Sequence, residues 1–347
     1  MADHWNVYEL SLSELEALFK RWGEPAYRAR QLWTWLYQHL ATDFNEMTSL
    51  PKALRRRLAE ETTLYVPPVL AQQLSLSGET RKDLLEMRDG ERVEVVLMRY
   101  IDRRTACIST QVGCALGCAF CATGQMGFVR DLTAGEIVAQ VLHFQRELAA
   151  QGQQLSNVVF MGMGEPFLNY DATLEALHRL MHPGGLNFGQ RRMTISSVGI
   201  VPGIYRFAEE ELQVNLAISL HAATDALRSE LMPINRRYPL DALFTAVGAY
   251  IARTNRQVTF EWALIEGIND TLEQAEALAA RIEGMLAHVN LIPLNPTEGF
   301  EGQPAPPERV AAFTRVLDRH HISHTVRLRR GIDIRAGCGQ LRKTAGA

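Results

Sequence analysis

Apolar positions recur along this chain with two periods, and the change between them marks its plan. Over the first 65 residues the period is helical. Leu12, Leu15, Leu18 and Phe19 share a face behind Ser11 and Glu14, which have the spacing of a capping box. Gly23 and Pro25 punctuate, glycine suiting the end of one helix and proline the start of the next. Leu32, Trp33, Leu36 and Leu40 then line one side of a second helix. A third, near 51–61, carries Arg55, Arg56 and Arg57. These helices form a small unit of their own. Residues 64–92 are polar, broken by Pro67 and Pro68, and read as a linker with hairpin-like strands.

From residue 93 strands and helices alternate. Strands are predicted at 93–98, 158–161, 214–220, 258–265, 289–294 and 325–328. A helix over 133–148 opens with a second capping box, Thr133 with Glu136, and further helices are marked by Leu174–Met181 and Val310–Leu317. This βα alternation predicts an α/β fold with a parallel sheet, a complete or partial βα barrel. The expected division is 1–90 for the helical unit with its linker and 91–347 for the barrel. Polar signatures sit just after apolar strands: MGMGEP after 158–161, SLH closing 214–220, and Asn295 after 289–294. In such folds the strand C-termini build the active site, so three signatures in one topological place point to a shared pocket.

The composition is that of an ordinary folded chain, with 47% apolar and 22% charged residues among 347. The N-terminus has neither the basic nor the apolar region of a signal peptide, and no apolar run reaches the roughly 18 residues of a membrane span. A cytosolic, reduced protein with no membrane partner is expected. The net charge of −3 gives no global signal for nucleic acid. Residues 309–347 nevertheless hold nine Lys or Arg against two acids, and Arg55–Arg57, Arg191–Arg192 and Arg236–Arg237 add local clusters. Phosphate binding needs such local charge, although solvated faces look the same.

Five cysteines, at 107, 114, 118, 121 and 338, are an odd and crowded set, unlike a disulfide scaffold. Cys114, Cys118 and Cys121 have the spacing CxxxCxxC. Soft thiolates select zinc or an iron–sulfur cluster. A zinc site would need a distant fourth ligand such as His143 or Cys338. A [4Fe–4S] cluster on three cysteines leaves one iron open, able to chelate the amino and carboxylate groups of S-adenosylmethionine and to deliver the electron that cleaves its sulfonium. Phe120, inside the motif, could shield a cluster or fill core.

The strings ACISTQVGCALGCAFCATGQMGFVRDLTAGEI, VVFMGMGEPFLNY, NLAISLHAATDALRSELMPIN, VNLIPLNP and DIRAGCGQL, in this order, resemble the RlmN family of radical S-adenosylmethionine enzymes. The family is the dual-specificity adenine carbon-2 methyltransferase of 23S rRNA and tRNA, and the resemblance covers essentially the whole chain. It implies a radical-SAM partial βα barrel with a small N-terminal helical, RNA-binding accessory domain. Pro166 favours this family over its sibling, the rRNA carbon-8 methyltransferase. A zinc-stabilised RNA-binding protein without catalysis is the alternative of another class.

The resemblance also implies roles. Cys114, Cys118 and Cys121 would hold the [4Fe–4S] cluster. Gly164, Glu165, Ser196, Ser219, Leu220, His221 and Asn295 would bind S-adenosylmethionine, two molecules of which serve each turnover. Cys338, flanked by Gly337 and Gly339, would carry the transferred methyl group. Cys107 would then release the product through a transient disulfide. Glu94 would accept the proton. On a strand face shared with Val96 and Met98 its carboxyl is expected to be partly desolvated, unless the strand is an edge open to solvent. An electron donor such as flavodoxin is implied as a further partner.

Overall fold

The computed structural model describes residues 5–297 and 299–327. Its centre is one ten-stranded sheet whose spatial order follows the chain. Its strands are β1 (Val69–Leu74), β2 (Thr80–Glu86), β3 (Arg92–Arg99), β4 (Arg104–Cys107), β5 (Asn157–Phe160), β6 (Met193–Ser197), β7 (Asn215–Ser219), β8 (Val258–Leu264), β9 (Ala287–Pro293) and β10 (His324–Val326). The first four pair antiparallel. From β4 onward every pairing is parallel. Each parallel step is bridged by a helix: Ala134–Ala150, Tyr170–Met181, Val201–Glu209, Leu240–Thr254, Leu272–Ile282 and Pro307–Arg319. An open sheet of this kind, helices on one face, is the expected partial βα barrel.

Strand alternation assigns the two faces. In β8, Val258, Phe260, Trp262 and Leu264 are fully buried, Phe260 packing on Phe244 and Trp262 on Phe313 of the outer helices. Thr259, Glu261 and Ala263 point the other way and line the concave side. The N-terminal helices, Leu12–Arg21, Ala26–Tyr37 and Lys52–Glu61, are closed by a short parallel pairing of Trp5–Asn6 with Thr62–Thr63. Both expected capping boxes are formed. This unit shares one apolar core with the barrel helices. Arg179 donates to the Tyr8 and Glu9 carbonyls and Arg146 to the Tyr8 hydroxyl, fixing it there.

The stretch 64–92 holds the expected hairpin, but as part of the main sheet rather than as a linker. β1 and β2 belong to the main sheet, and the boundary expected at residue 90 falls in the turn between β2 and β3, which pair across it in continuous register. β2 reads as polar because Lys82 and Asp83 are charged, yet both are fully buried. Lys82 meets Glu94 of the next strand, and Asp83 meets Arg81, two residues before it on the same face, and the distant His143.

Candidate functional site

The CxxxCxxC loop leaves the barrel after β4. Its start is clamped by a small hairpin, Gln111–Gly113 against Phe128–Asp131, and by Cys114 N–H donating to the Gly127 carbonyl at 2.8 Å. Gly113 has φ +79°, and a Cβ there would overlap that carbonyl, so only glycine fits. Ala119 N–H donates to the Leu231 carbonyl at 2.9 Å and ties the middle of the loop to the barrel. Cys114, Cys118 and Cys121 line one cavity of about 450 Å3. Burial pushes the Cys114 thiol up to about 11 and the Cys118 thiol further, and the neighbouring thiols raise both.

Thiols packed this way ionise only beside a strongly cationic centre, the condition an iron–sulfur cluster supplies. Among the described residues no set of three His, Cys, Asp or Glu side chains is placed to hold a single metal ion. His143, the fourth ligand a zinc site could have used, is committed to Asp83 at 2.7 Å and does not line the cavity. The zinc reading is not supported. Phe120 packs edge-on against His221, with ring centroids 4.8 Å apart, and lines the cavity too.

The wall facing the thiols comes from the C-terminal ends of β5, β6, β7 and β9. Gly164 has φ +99° and lies so close to Gln111 that a Cβ would approach its Cβ to 2.5 Å. Gln111 Oε1 in turn accepts from Glu165 N–H at 2.8 Å. The Glu165 carboxylate accepts from the Phe167 and Val198 N–H groups at 3.0 and 2.8 Å. Burial outweighs these bonds and raises its pKa to about 7. Ser196 and Ser219 have their hydroxyls 3.4 Å apart. His221, with φ +58°, accepts at Nδ1 from the Ala263 N–H at 2.9 Å, and burial lowers its pKa to about 3. Asn295 completes the rim. Of the expected cofactor contacts only Leu220 stands back, fully buried behind the wall.

Cys107, at the end of β4, is 8% exposed and lines the same cavity. Among the described residues no disulfide is formed. Cys338 lies outside the described residues, as do the strand residue Leu328 and the basic positions beyond 327. Glu94 is not on an edge: β3 lies between β2 and β4, and the residue is 2% exposed. It does not line the cavity, and its Oε2 lies 3.1 Å from Lys82 Nζ. Lys82 pairs in register with Val96, so the contact is a diagonal one across the strands.

Of the other basic clusters, Arg55 donates to the Asn45 carbonyl and Arg57 to the Trp22 carbonyl and Glu61, while Arg56 faces Glu60 at 3.6 Å. Trp33 is core, and Trp35 donates to Ser49.

Two residues of this region were not singled out by sequence. Arg228 is 1% exposed and donates to the Val198, Ser219 and Leu220 carbonyls and to Asn235 Oδ1. It thereby holds together the segments that follow β6 and β7. Its targets are main-chain oxygens, which leave no mark in the sequence. Glu261 of β8 faces the cavity from below. Burial raises its pKa, with Arg327 and the hydrogen bond from Asn290 opposing.

Three thiols thus face a polar wall of strand ends across one cavity, and comparison with known proteins places the chain. The ribosomal RNA large subunit methyltransferase N-terminal domain matches residues 5–64, and the radical SAM superfamily matches 108–279. The chain is 52% identical to dual-specificity RNA methyltransferase RlmN 1 of Myxococcus xanthus, over 98% of this chain and 94% of that protein. It is also 52% identical to a probable dual-specificity RNA methyltransferase RlmN of Chloroflexus aurantiacus, over 96% and 92%. A crystal structure of a radical SAM methyltransferase from Sphaerobacter thermophilus superposes with a TM-score of 0.94 at 49% identity, over 97% of this chain and 98% of that one. The cofactors of this class are a [4Fe–4S] cluster and S-adenosylmethionine, and the three thiols with their facing wall fit both. By sequence, fold and site, the chain belongs to the RlmN family of radical S-adenosylmethionine RNA methyltransferases.

Proposed function

We propose that this protein methylates carbon 2 of adenosine in RNA, in the peptidyl-transferase centre of 23S rRNA and 3′ of the anticodon in tRNA. The observation that carries the reading is the single cavity that unites Cys107, the three CxxxCxxC thiols and the polar wall of Glu165, Ser196, Ser219 and Asn295. Cys114, Cys118 and Cys121 would hold the cluster, whose electron cleaves the sulfonium of bound S-adenosylmethionine. Glu165 accepts from the amino group of that molecule. Ser196, Ser219 and Asn295 bond its ribose or carboxylate, while Leu220 and His221 shape the loop between them and Gly164 lets the backbone approach.

Carbon 2 of adenine is electron-poor and does not attack a methyl donor directly. Cys338 therefore takes a methyl group first, by displacement, and presents it to the base. A second S-adenosylmethionine would supply the radical that removes one hydrogen from this S-methyl group, and the carbon left would add to adenine, the adduct giving up one electron and the carbon-2 proton. The Cys107 thiol then attacks the Cys338 sulfur, forming a disulfide and breaking the sulfur–carbon bond, and the released carbon takes up a proton to become the methyl group. Glu94 accepts the proton from carbon 2, and the Lys82 ammonium beside it fixes where that carboxylate points. The N-terminal helices and the basic C-terminal segment receive the RNA, with the target nucleotide splayed out of its stack. A flavodoxin-like donor supplies electrons. No helix among the described residues is long and apolar enough to cross a membrane, and the cytoplasm, where these RNAs are, is the proposed compartment.

The test is to locate the methyl group on an RNA fragment after reaction of the anaerobically reconstituted enzyme. Carbon 2 is expected. A methyl on carbon 8, or none with a fully loaded cluster, would overturn the reading.

A further inference from the structure

Glu261 is left over by the site just described. It sits on the concave face of β8 and is 5% exposed. Its Oε1 accepts from Asn290 Nδ2 at 3.0 Å, while its Oε2 is buried with no hydrogen-bond partner among the described residues. The Arg327 guanidinium stands 4.0 Å from Oε1. Parallel register sets Ser219, Glu261 and Asn290 at one height on adjacent strands. Glu261 also borders a second cavity, of about 640 Å3, at the other end of the strands. That cavity shares Val159, Met161, Glu261 and Arg327 with the cysteine-bearing one. Buried acceptors are nearly always met in folded proteins, and an unmet one aimed into a cavity points to a donor that arrives with a ligand.

Resting on the carbon-2 reading, we propose that Glu261 reads the target base, accepting a hydrogen bond from the exocyclic amino group of adenine while Asn290 and Arg327 hold its carboxylate in place. An ionised carboxylate is acceptor-only, and the amino group brings two donors. A carbonyl at that ring position, as in hypoxanthine, would set oxygen against oxygen in a desolvated site. The orientation suits the chemistry as well. The edge of the six-membered ring opposite the amino group carries N3 and carbon 2, so a base held by its amino group turns carbon 2 away from Glu261 and into the cavity that the cysteines also line.

The test uses the reconstituted holoenzyme and three short RNA fragments that differ only at the target nucleotide: adenosine, inosine or purine riboside. Binding is read by fluorescence anisotropy and S-adenosylmethionine affinity is read separately. The wild type is expected to bind the adenosine fragment tighter than either other by roughly tenfold or more. E261Q is expected to lose most of the preference for adenosine over purine riboside, with iron content and S-adenosylmethionine affinity unchanged. E261A, which places no new donor, serves as the second variant. Unchanged discrimination in both variants overturns the proposal. So does a fall in S-adenosylmethionine affinity, which would assign the carboxylate to the cofactor. Failure of the wild type to methylate carbon 2 sinks the functional reading instead, and the binding preference still reports on Glu261.

Discussion

At the antiparallel end of the sheet, Lys82 and Glu94 are both removed from solvent and meet at 3.1 Å, while Asp83 takes Arg81 and His143. At the parallel end, on the concave face, Glu261 keeps one carboxylate oxygen unmet among the described residues, and in the loop facing it the Cys118 thiol is buried and the Cys114 thiol half-buried, against the grain of their own ionisation. The same sheet thus buries charge in two ways. Where the partner belongs to the chain, the pair holds the fold, even where, as proposed for Glu94, one member also serves the reaction. Where it does not, the group waits for something that binds. Removing a residue of the first kind should cost stability, and removing one of the second should cost binding.

The largest effect expected is at the thiols. Cys118→Ala should abolish iron incorporation and all turnover while the chain still folds, read by iron assay and visible absorption after anaerobic reconstitution. Retention of a normal iron content would break the assignment of that cysteine. Next comes the buried ion pair. Lys82→Met takes the ammonium away from a buried carboxylate and should cost on the order of 3–5 kcal/mol in urea denaturation. The double variant Lys82→Met, Glu94→Gln should recover much of that loss. Glu261→Gln, by contrast, should change stability by about 1 kcal/mol or less, since its carboxylate already lacks a full set of partners. Equal losses at Lys82 and Glu261 would erase the distinction between the two ends.

A third prediction concerns pH. Glu165 holds its proton in the fold up to about pH 7, while its ordinary value is 4.5. Between those values the folded protein binds the proton and the unfolded chain does not. The cofactor-free fold therefore gains from this group below about 4.5 and loses that gain as pH rises through about 7. Over that window the wild type should lose on the order of 1–3 kcal/mol relative to Glu165→Gln, measured as parallel melting series. Parallel curves would remove Glu165 from the pH response. A further effect is expected at Arg228. Arg228→Lys keeps the charge but not the fork that reaches three carbonyls, and S-adenosylmethionine should bind about tenfold more weakly with the fold intact. An unaltered affinity would show that the loops hold without it.

How much of this was legible beforehand follows from where each partner comes from. β3 and β5 to β10, apart from β6, stand out because one face of each is apolar with period two or the strand is buried throughout. The capping boxes at Ser11 and Thr133 are local by nature. The hairpin holding β2 was expected, but its place in the main sheet was hidden because the charges at Lys82 and Asp83 read as solvent-exposed, and only the β2–β3 register and the docking of the helix that carries His143 show otherwise. The polar wall facing the thiols was visible as motifs at strand ends. Arg228 and Glu261 were not, since one is defined by the carbonyls it reaches and the other by the neighbour it lacks.

The His221 ring has its Nδ1 pinned by a main-chain N–H of β8 and its pKa lowered to about 3. It is therefore a neutral pin between β7 and β8, with the proton on Nε2 across the whole physiological range. A histidine in a catalytic motif would ordinarily be the first suspect for any titration near neutrality. Here it is silent by construction, and an inflection near pH 7 in cofactor binding would report a carboxylic acid, Glu165, in the place where imidazole is usually sought.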